Sequence, residues 1–234
     1  MADYVYPPVV VGLKTLWKYL GLKFDFRGID NLPDRDHGGA ILAINHVSYL
    51  DFALAGTAAL PMKRYVRFMA KKEIFDNKLA GPLMRGMHHI CVDRANGSAS
   101  FVTAMRALKA GEVIGIFPEG TISVSFEVKE LKSGAVRLAQ GAGVPVIPTI
   151  IWGSQRLWTK KVKRNLRRKK VPISVTFGEP IYFERGGDVE AGEKLLRETM
   201  LTMLHKVQAD YPDSHEGQRW APARLGGTAP APLN

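Results

Sequence analysis

Six short apolar runs, most of them separated by a helix-length interval, constrain this chain more than any other feature. They are AILAI (40–44), YVRFMA (65–70), HICV (89–92), VIGIF (113–117), VPVIPTII (144–151) and ISVTFG (173–178). They are often β-branched, which reads as strand. Segments 49–60, 74–85, 98–111, 130–141 and 188–209 read as helices. Gly111, Gly141 and Gly143 stand where helix C-termini should end. Such alternation predicts an α/β fold with a mostly parallel central sheet flanked by helices. A length of 234 residues suits one domain, and 46% hydrophobic residues suffice for a sizeable core.

The ends read differently. In PPVVVGLKTLWKYLGLKF (7–24), Val9, Leu13, Leu16, Trp17 and Leu20 recur at helical spacing, with lysines elsewhere. Such an amphipathic helix either lies in a membrane interface or docks on the protein's own core. The stretch 216–234 is rich in Pro, Gly and Ala without apolar period, as expected of a flexible tail. The expected organisation is therefore an N-terminal amphipathic segment (1–24), one main domain (25–212) and a tail (213–234).

Charge narrows the partners. With 33 Lys and Arg against 22 Asp and Glu, the net charge is +11, which favours anionic partners. The run TKKVKRNLRRKK (159–170) concentrates that charge, and Trp152 and Trp158 just before it suit interfacial anchors. Nucleic acid competes as the polyanion, but no motif that reads bases accompanies the run. The single cysteine, Cys91, asks for no oxidising compartment. No secretory leader is expected, and no run of 18 apolar residues reads as a spanning helix.

NHVSYLD (45–51) follows the first of these strands. An extended chain would hold His46 and Asp51 about 16 Å apart. One helix would set them about 140° apart around its axis. A strand-to-helix turn brings them together, with His46 on the loop and Asp51 in the first helical turn. Ser48 and Asp51 also fit a capping box, a purely structural role compatible with the first. A carboxylate there would fix the imidazole tautomer, as in hydrolase triads. No GxSxG accompanies the pair, so the hydroxyl to be activated would belong to a substrate.

Two further strand ends carry chemistry. IGIFPEGTIS (114–123) turns at Pro118 and Gly120 and sets Glu119 where ligands collect in open α/β sheets. HHICVDR (88–94) ends on Arg94, whose fork suits phosphate or carboxylate, or an ion pair with Asp93. His88, His89, Cys91 and Asp93 alternate along a strand without metal-ligand spacing, so no metal is expected.

Together these segments resemble the 1-acylglycerol-3-phosphate acyltransferases among the glycerolipid acyltransferases. The family's N-H-x-x-x-x-D is matched by NHVSYLD (45–51). Its glycine and apolar strand ending in D-R is matched by GMHHICVDR (86–94), and its F-P-E-G-T by FPEGT (117–121). VPVIP (144–148) matches its fourth block, and AKKEIF (70–75) and LKSGAVRLA (131–139) look familial. The resemblance spans roughly 25–185 and implies a glycerol-3-phosphate acyltransferase-like fold. It implies that His46 is the general base, oriented by Asp51. Arg94, Glu119, Gly120 and Thr121 would bind the glycerol phosphate, with Lys71 preferred over Lys72 at the phosphate. The fourth block would border the acyl chain. Where many members read F-P-E-G-T-R-S, this chain has Ile122 for the arginine.

The implied reaction moves a fatty acyl group from an acyl thioester to lysophosphatidic acid, giving phosphatidic acid. Another lysolipid, a glycosylated lipid or glycerol 3-phosphate remains an alternative acceptor, and a basic nucleic-acid-binding protein is the rival from another class. An imidazole, with its ordinary pKa of about 6.5, suits the base. The leaving thiol, at about 8.5, needs little help. No cofactor is implied beyond the co-substrate, acyl-CoA or acyl-acyl carrier protein. The expected setting is the anionic, cytoplasmic surface of a membrane, with the protein peripheral and no nucleic acid bound.

Overall fold

The structure is a computed structural model that describes residues 3–34, 36–93 and 97–231. The elements run α1 (Tyr6–Leu20), β1 (Lys23–Arg27), β2 (Ala40–Ile44), α2 (Asp51–Ala59), β3 (Val66–Lys71), α3 (Lys72–Asp76), α4 (Ala80–Gly86), β4 (Ile90–Val92), α5 (Gly97–Lys109), β5 (Val113–Ile116), α6 (Gly134–Ala142), β6 (Val146–Trp152), β7 (Pro172–Phe177) and α7 (Val189–Ala209). The seven strands form one sheet in the order β1-β7-β6-β2-β5-β3-β4. Strands β2 to β6 are mutually parallel; β7 runs against β6, and β1 follows β7. This is the α/β architecture expected.

Strand β2 is central because all five of its residues are apolar and none touches water. Its side chains alternate. Ile41 and Ala43 enter the core under α5, α6 and α7. Ala40, Leu42 and Ile44 enter the core shared with α1 and α2. Each fully buried Leu or Ile contributes about 1.5–3 kcal/mol, so both faces hold the strand in register.

Three departures from the sequence reading have local causes. Gly21 takes φ 66° and caps α1 at Leu20, which frees Lys23–Arg27 to form β1 beside β7. The helix expected at 74–85 is split. Asn77 adopts an extended backbone, and its Oδ1 accepts the N–H groups of Leu79 and Ala80. The C-terminal stretch is packed instead of free. Trp220 lies against Trp152 and under the Arg156 guanidinium, and Ala221 is fully buried.

Helix α1 docks through Tyr6, Trp17 and Leu20. The Trp17 indole donates to Thr57 Oγ1 and the Tyr6 hydroxyl to the Val66 carbonyl. The expected apolar stripe therefore serves the core. Its outer face keeps Val11 and Tyr19 about two-thirds exposed, at 64% and 65%. Among the described residues no helix is long and apolar enough to cross a membrane.

Candidate active site

Because β2, β3, β5 and β6 are parallel, their C-terminal ends deliver loops to one edge of the sheet. Open α/β sheets gather ligands at this edge. His46 follows β2, Lys71 ends β3, Phe117–Thr121 follows β5, and Ser154 follows β6.

The chain turns sharply between His46 and Asp51. His46 Nδ1 lies 3.1 Å from Asp51 Oδ2, so the N–H of this tautomer sits on Nδ1 and donates to the carboxylate. Nε2 is left as the acceptor. The same Oδ2 accepts the backbone N–H groups of Val47 and Ser48, at 2.8 and 2.7 Å. Ser48 Oγ in turn accepts the Leu50 N–H at 3.1 Å. Half of the anticipated capping box is thus present together with the histidine contact, and one carboxylate does both. Asp51 is fully buried, while the His46 side chain keeps 20% of its surface exposed.

Several positioning groups were not visible in the sequence. Asp51 Oδ1 accepts the Ser154 hydroxyl at 2.7 Å, from a residue 103 positions away. Asn45 braces the β2 end by donating to the Ile151 carbonyl at 3.1 Å and accepting its N–H at 2.7 Å. Thr159 donates to the Val47 carbonyl. The Asn of N-H-x-x-x-x-D was a usable signal for Asn45; Ser154 and Thr159 carried none. The imidazole stacks on Phe117, with centroids 4.2 Å apart. Phe117 continues to Phe68 and then Phe52. Gly115 makes room for this row, since a Cβ there would lie 2.5 Å from the Phe68 ring. The row reaches an apolar groove between α1, α2 and β3, lined among others by Val9, Leu13, Phe52 and Met87.

Glu119 departs from its expected part. The resemblance assigned it to the glycerol phosphate, but its carboxylate turns inward and is only 6% exposed. Oε1 accepts the His46 N–H at 2.8 Å and Oε2 the Lys129 N–H at 3.3 Å. Burial pushes its pKa up to about 7, against the help of those two N–H groups. Glu119 thus clamps the His46 and Lys129 loops together through their backbone N–H groups. Gly120 takes φ 72° at the turn, and exposed Thr121 accepts from Lys129 Nζ at 2.6 Å. Lys71 is exposed at the end of β3, whereas Lys72 pairs with Asp76 at 2.6 Å. Arg94 lies outside the described residues. Ile122, in place of the common arginine, is buried. VPVIP, expected beside the acyl chain, instead forms the start of β6, with Val146 and Ile147 wholly buried away from the loop edge.

His89 is buried, and its Nδ1 accepts the Phe68 N–H at 3.1 Å; burial pushes its pKa down to about 4. Among the described residues no group of three or more His, Cys, Asp or Glu side chains is arranged to hold a metal ion.

The model of the family described as Acyltransferase matches residues 23–152, more than half of the chain and all of the His46 and Glu119 loops. The chain belongs to the acyltransferase family. A 1-acyl-sn-glycerol-3-phosphate acyltransferase of Bacillus subtilis (strain 168) is 34% identical over 154 residues, which cover 65% of this chain and 71% of that one. A protein of the same description from Limnanthes alba is 30% identical over 182 residues, 74% of this chain; the match spans 59% of the plant protein's length. The fold is shared with the crystal structure of the 1-acyl-sn-glycerophosphate (LPA) acyltransferase PlsC from Thermotoga maritima. The TM-score is 0.67 at 23% identity, over 90% of this chain and 92% of that one.

Proposed function

We propose that this acyltransferase moves a fatty acyl group from an acyl thioester to the free hydroxyl of lysophosphatidic acid, giving phosphatidic acid. The observation that carries the reading is the His46–Asp51 contact of 3.1 Å at the loop edge of the sheet. Asp51 holds the Nδ1 proton, so Nε2 is free to take the proton of the acceptor hydroxyl. The oxygen then bonds to the thioester carbonyl carbon, the C–S bond breaks, and the thiolate leaves. Asp51 stabilises the imidazolium that forms. The relatives' printed description, 1-acyl-sn-glycerol-3-phosphate acyltransferase, supports the acceptor named here.

The protein works at the anionic, cytoplasmic face of a membrane in this proposal. Ser48, two residues from His46, donates to the Trp158 carbonyl at 2.6 Å, so the loop leading into the basic run 159–170 abuts the site. The Tyr49 ring lies tilted against Trp158, at 5.2 Å between centroids. At the far end of that run, Arg168 lies beside Gly21 at the end of α1. The basic run thus starts beside the site and ends beside the C-terminus of α1. Basic residues near an anionic leaflet contribute about 1 kcal/mol each.

A panel of acceptors tests the reading, with one radiolabelled acyl-CoA and, separately, the acyl-acyl carrier protein as donor. Lysophosphatidic acid should give labelled phosphatidic acid faster than glycerol 3-phosphate or a lysophospholipid with a larger head group. Preference for either of the others would replace the acceptor named here.

A further inference from the structure

The turn that follows β5 carries a charge arrangement the reaction above does not use. Lys132 lays its side chain over Gly120. A Cβ on Gly120 would meet Lys132 Cε at 3.1 Å and Nζ at 3.2 Å. Lys129 reaches the same turn and donates to Thr121 Oγ1 at 2.6 Å. Lys160, at the head of the basic run, lies close enough for its charge to be felt at Lys129. Burial first, and then Lys160 and Lys132 against the pull of Glu119, push the Lys129 amine below its ordinary value. The Lys129 and Lys132 ammonium groups therefore meet at one turn, and the charge of Lys160 acts on Lys129 from nearby. Their acidic neighbours are engaged elsewhere. Glu130 pairs with Arg197, Glu127 with Arg224, and Glu119 is buried on backbone N–H groups. Among the described residues, no ion pair neutralises Lys129, Lys132 or Lys160. The nine-residue helix α6 starts two residues after Lys132, with no acidic residue in its first turn and no side-chain cap, which adds a positive dipole end.

We infer that Lys129, Lys132 and Lys160 form the cradle for a phosphate monoester, the phosphate of the acceptor, in place of the arginine that Ile122 replaces. Position 122 cannot serve, because its side chain is buried and apolar. Like charges held together repel at a cost that a dianion removes. The acceptor fits better than the donor for a geometric reason. Glu119 joins the His46 and Lys129 backbones through one carboxylate, so cradle and base are neighbours. On a glycerol skeleton the phosphate is only a few bonds from the reacting hydroxyl. In coenzyme A the phosphates stand at the far end of the pantetheine arm. The assignment rests on the acyl-transfer reading and specifies how its acceptor is selected.

Two measurements on the full chain test it. The first is 31P NMR titration of wild type and variants with sn-glycerol 3-phosphate, which needs no turnover. The second is steady-state kinetics with lysophosphatidic acid and acyl-CoA. In the Lys129→Ala/Lys132→Ala double variant, glycerol 3-phosphate affinity should fall about tenfold or more, with a matching rise in KM for lysophosphatidic acid and an unchanged KM for the donor. Lys132→Arg should retain most of the affinity. An unchanged titration, absence of binding to wild type, or a rise confined to the donor KM would overturn the cradle. If the titration responds to the lysine variants while wild type acylates no lysophosphatidic acid, the cradle stands and the acyl-acceptor reading falls.

Discussion

Four donors converge on Asp51: the His46 imidazole, two backbone N–H groups and the Ser154 hydroxyl. Replacing it with Asn would turn an amide NH2 toward at least one of them. Asp51→Asn should lower kcat at least about a hundredfold and cost roughly 1–3 kcal/mol of stability. Denaturant melts and steady-state assays on one preparation would show both. Ser154→Ala removes only one donor and leaves the ring contact. It should lower kcat by about tenfold and stability by about 1 kcal/mol; an unchanged kcat would remove Ser154 from the positioning of Asp51. The His46–Asp51 pair was legible in the sequence, because a spacing of five fits neither strand nor helix and demands a turn. Ser154 was not, because nothing local marks a hydroxyl that meets its partner across 103 positions. Glu119 was legible as a residue at a strand end, but whether a carboxylate faces ligand or backbone depends on the neighbouring loop.

At the scale of elements, the parallel strands and their helices followed from apolar runs and glycine stops. Two features escaped for physical reasons. The strand KFDFR alternates as an exposed-edge strand should, but the helical pattern upstream runs into it without a break except Gly21. The tail has no apolar period because it binds through single anchors. Trp220 meets Trp152, Tyr211 and His215, and its carbonyl accepts from Gln155 Nε2 at 3.2 Å. Gln155 sits in the short turn Ser154–Arg156, so the tail steadies the segment that holds Asp51. Helix α1 is likewise part of the domain. Trp17 is buried against α2, and Trp17→Ala should cost about 3–5 kcal/mol in a urea melt. Val11→Glu and Tyr19→Glu, on the exposed face, should leave that melt unchanged and weaken sedimentation with anionic vesicles. Equal vesicle binding would remove α1 from the membrane contact.

For the whole molecule, pH should act through the clamp. Glu119 ionises near 4.5 ordinarily and at about 7 in the folded protein, because burial disfavours its charge. Between those values the folded state holds a proton that the unfolded state has released. Its contribution to stability therefore falls as pH rises across that window and levels off above about 7. Glu119→Gln should flatten this slope in urea melts taken across the window; an equally steep slope would place the titrating group elsewhere. The charge of +11 should make vesicle binding weaken with added salt. The base itself is tested most directly by single-turnover transfer of a radiolabelled acyl group from acyl-CoA to lysophosphatidic acid, comparing wild type with folded His46→Ala. The expected result is labelled phosphatidic acid from wild type and a rate at least about a thousandfold lower from the variant, with its thermal melt preserved. A His46→Ala protein that transfers the acyl group at near wild-type rate would contradict the assignment of that imidazole as the base.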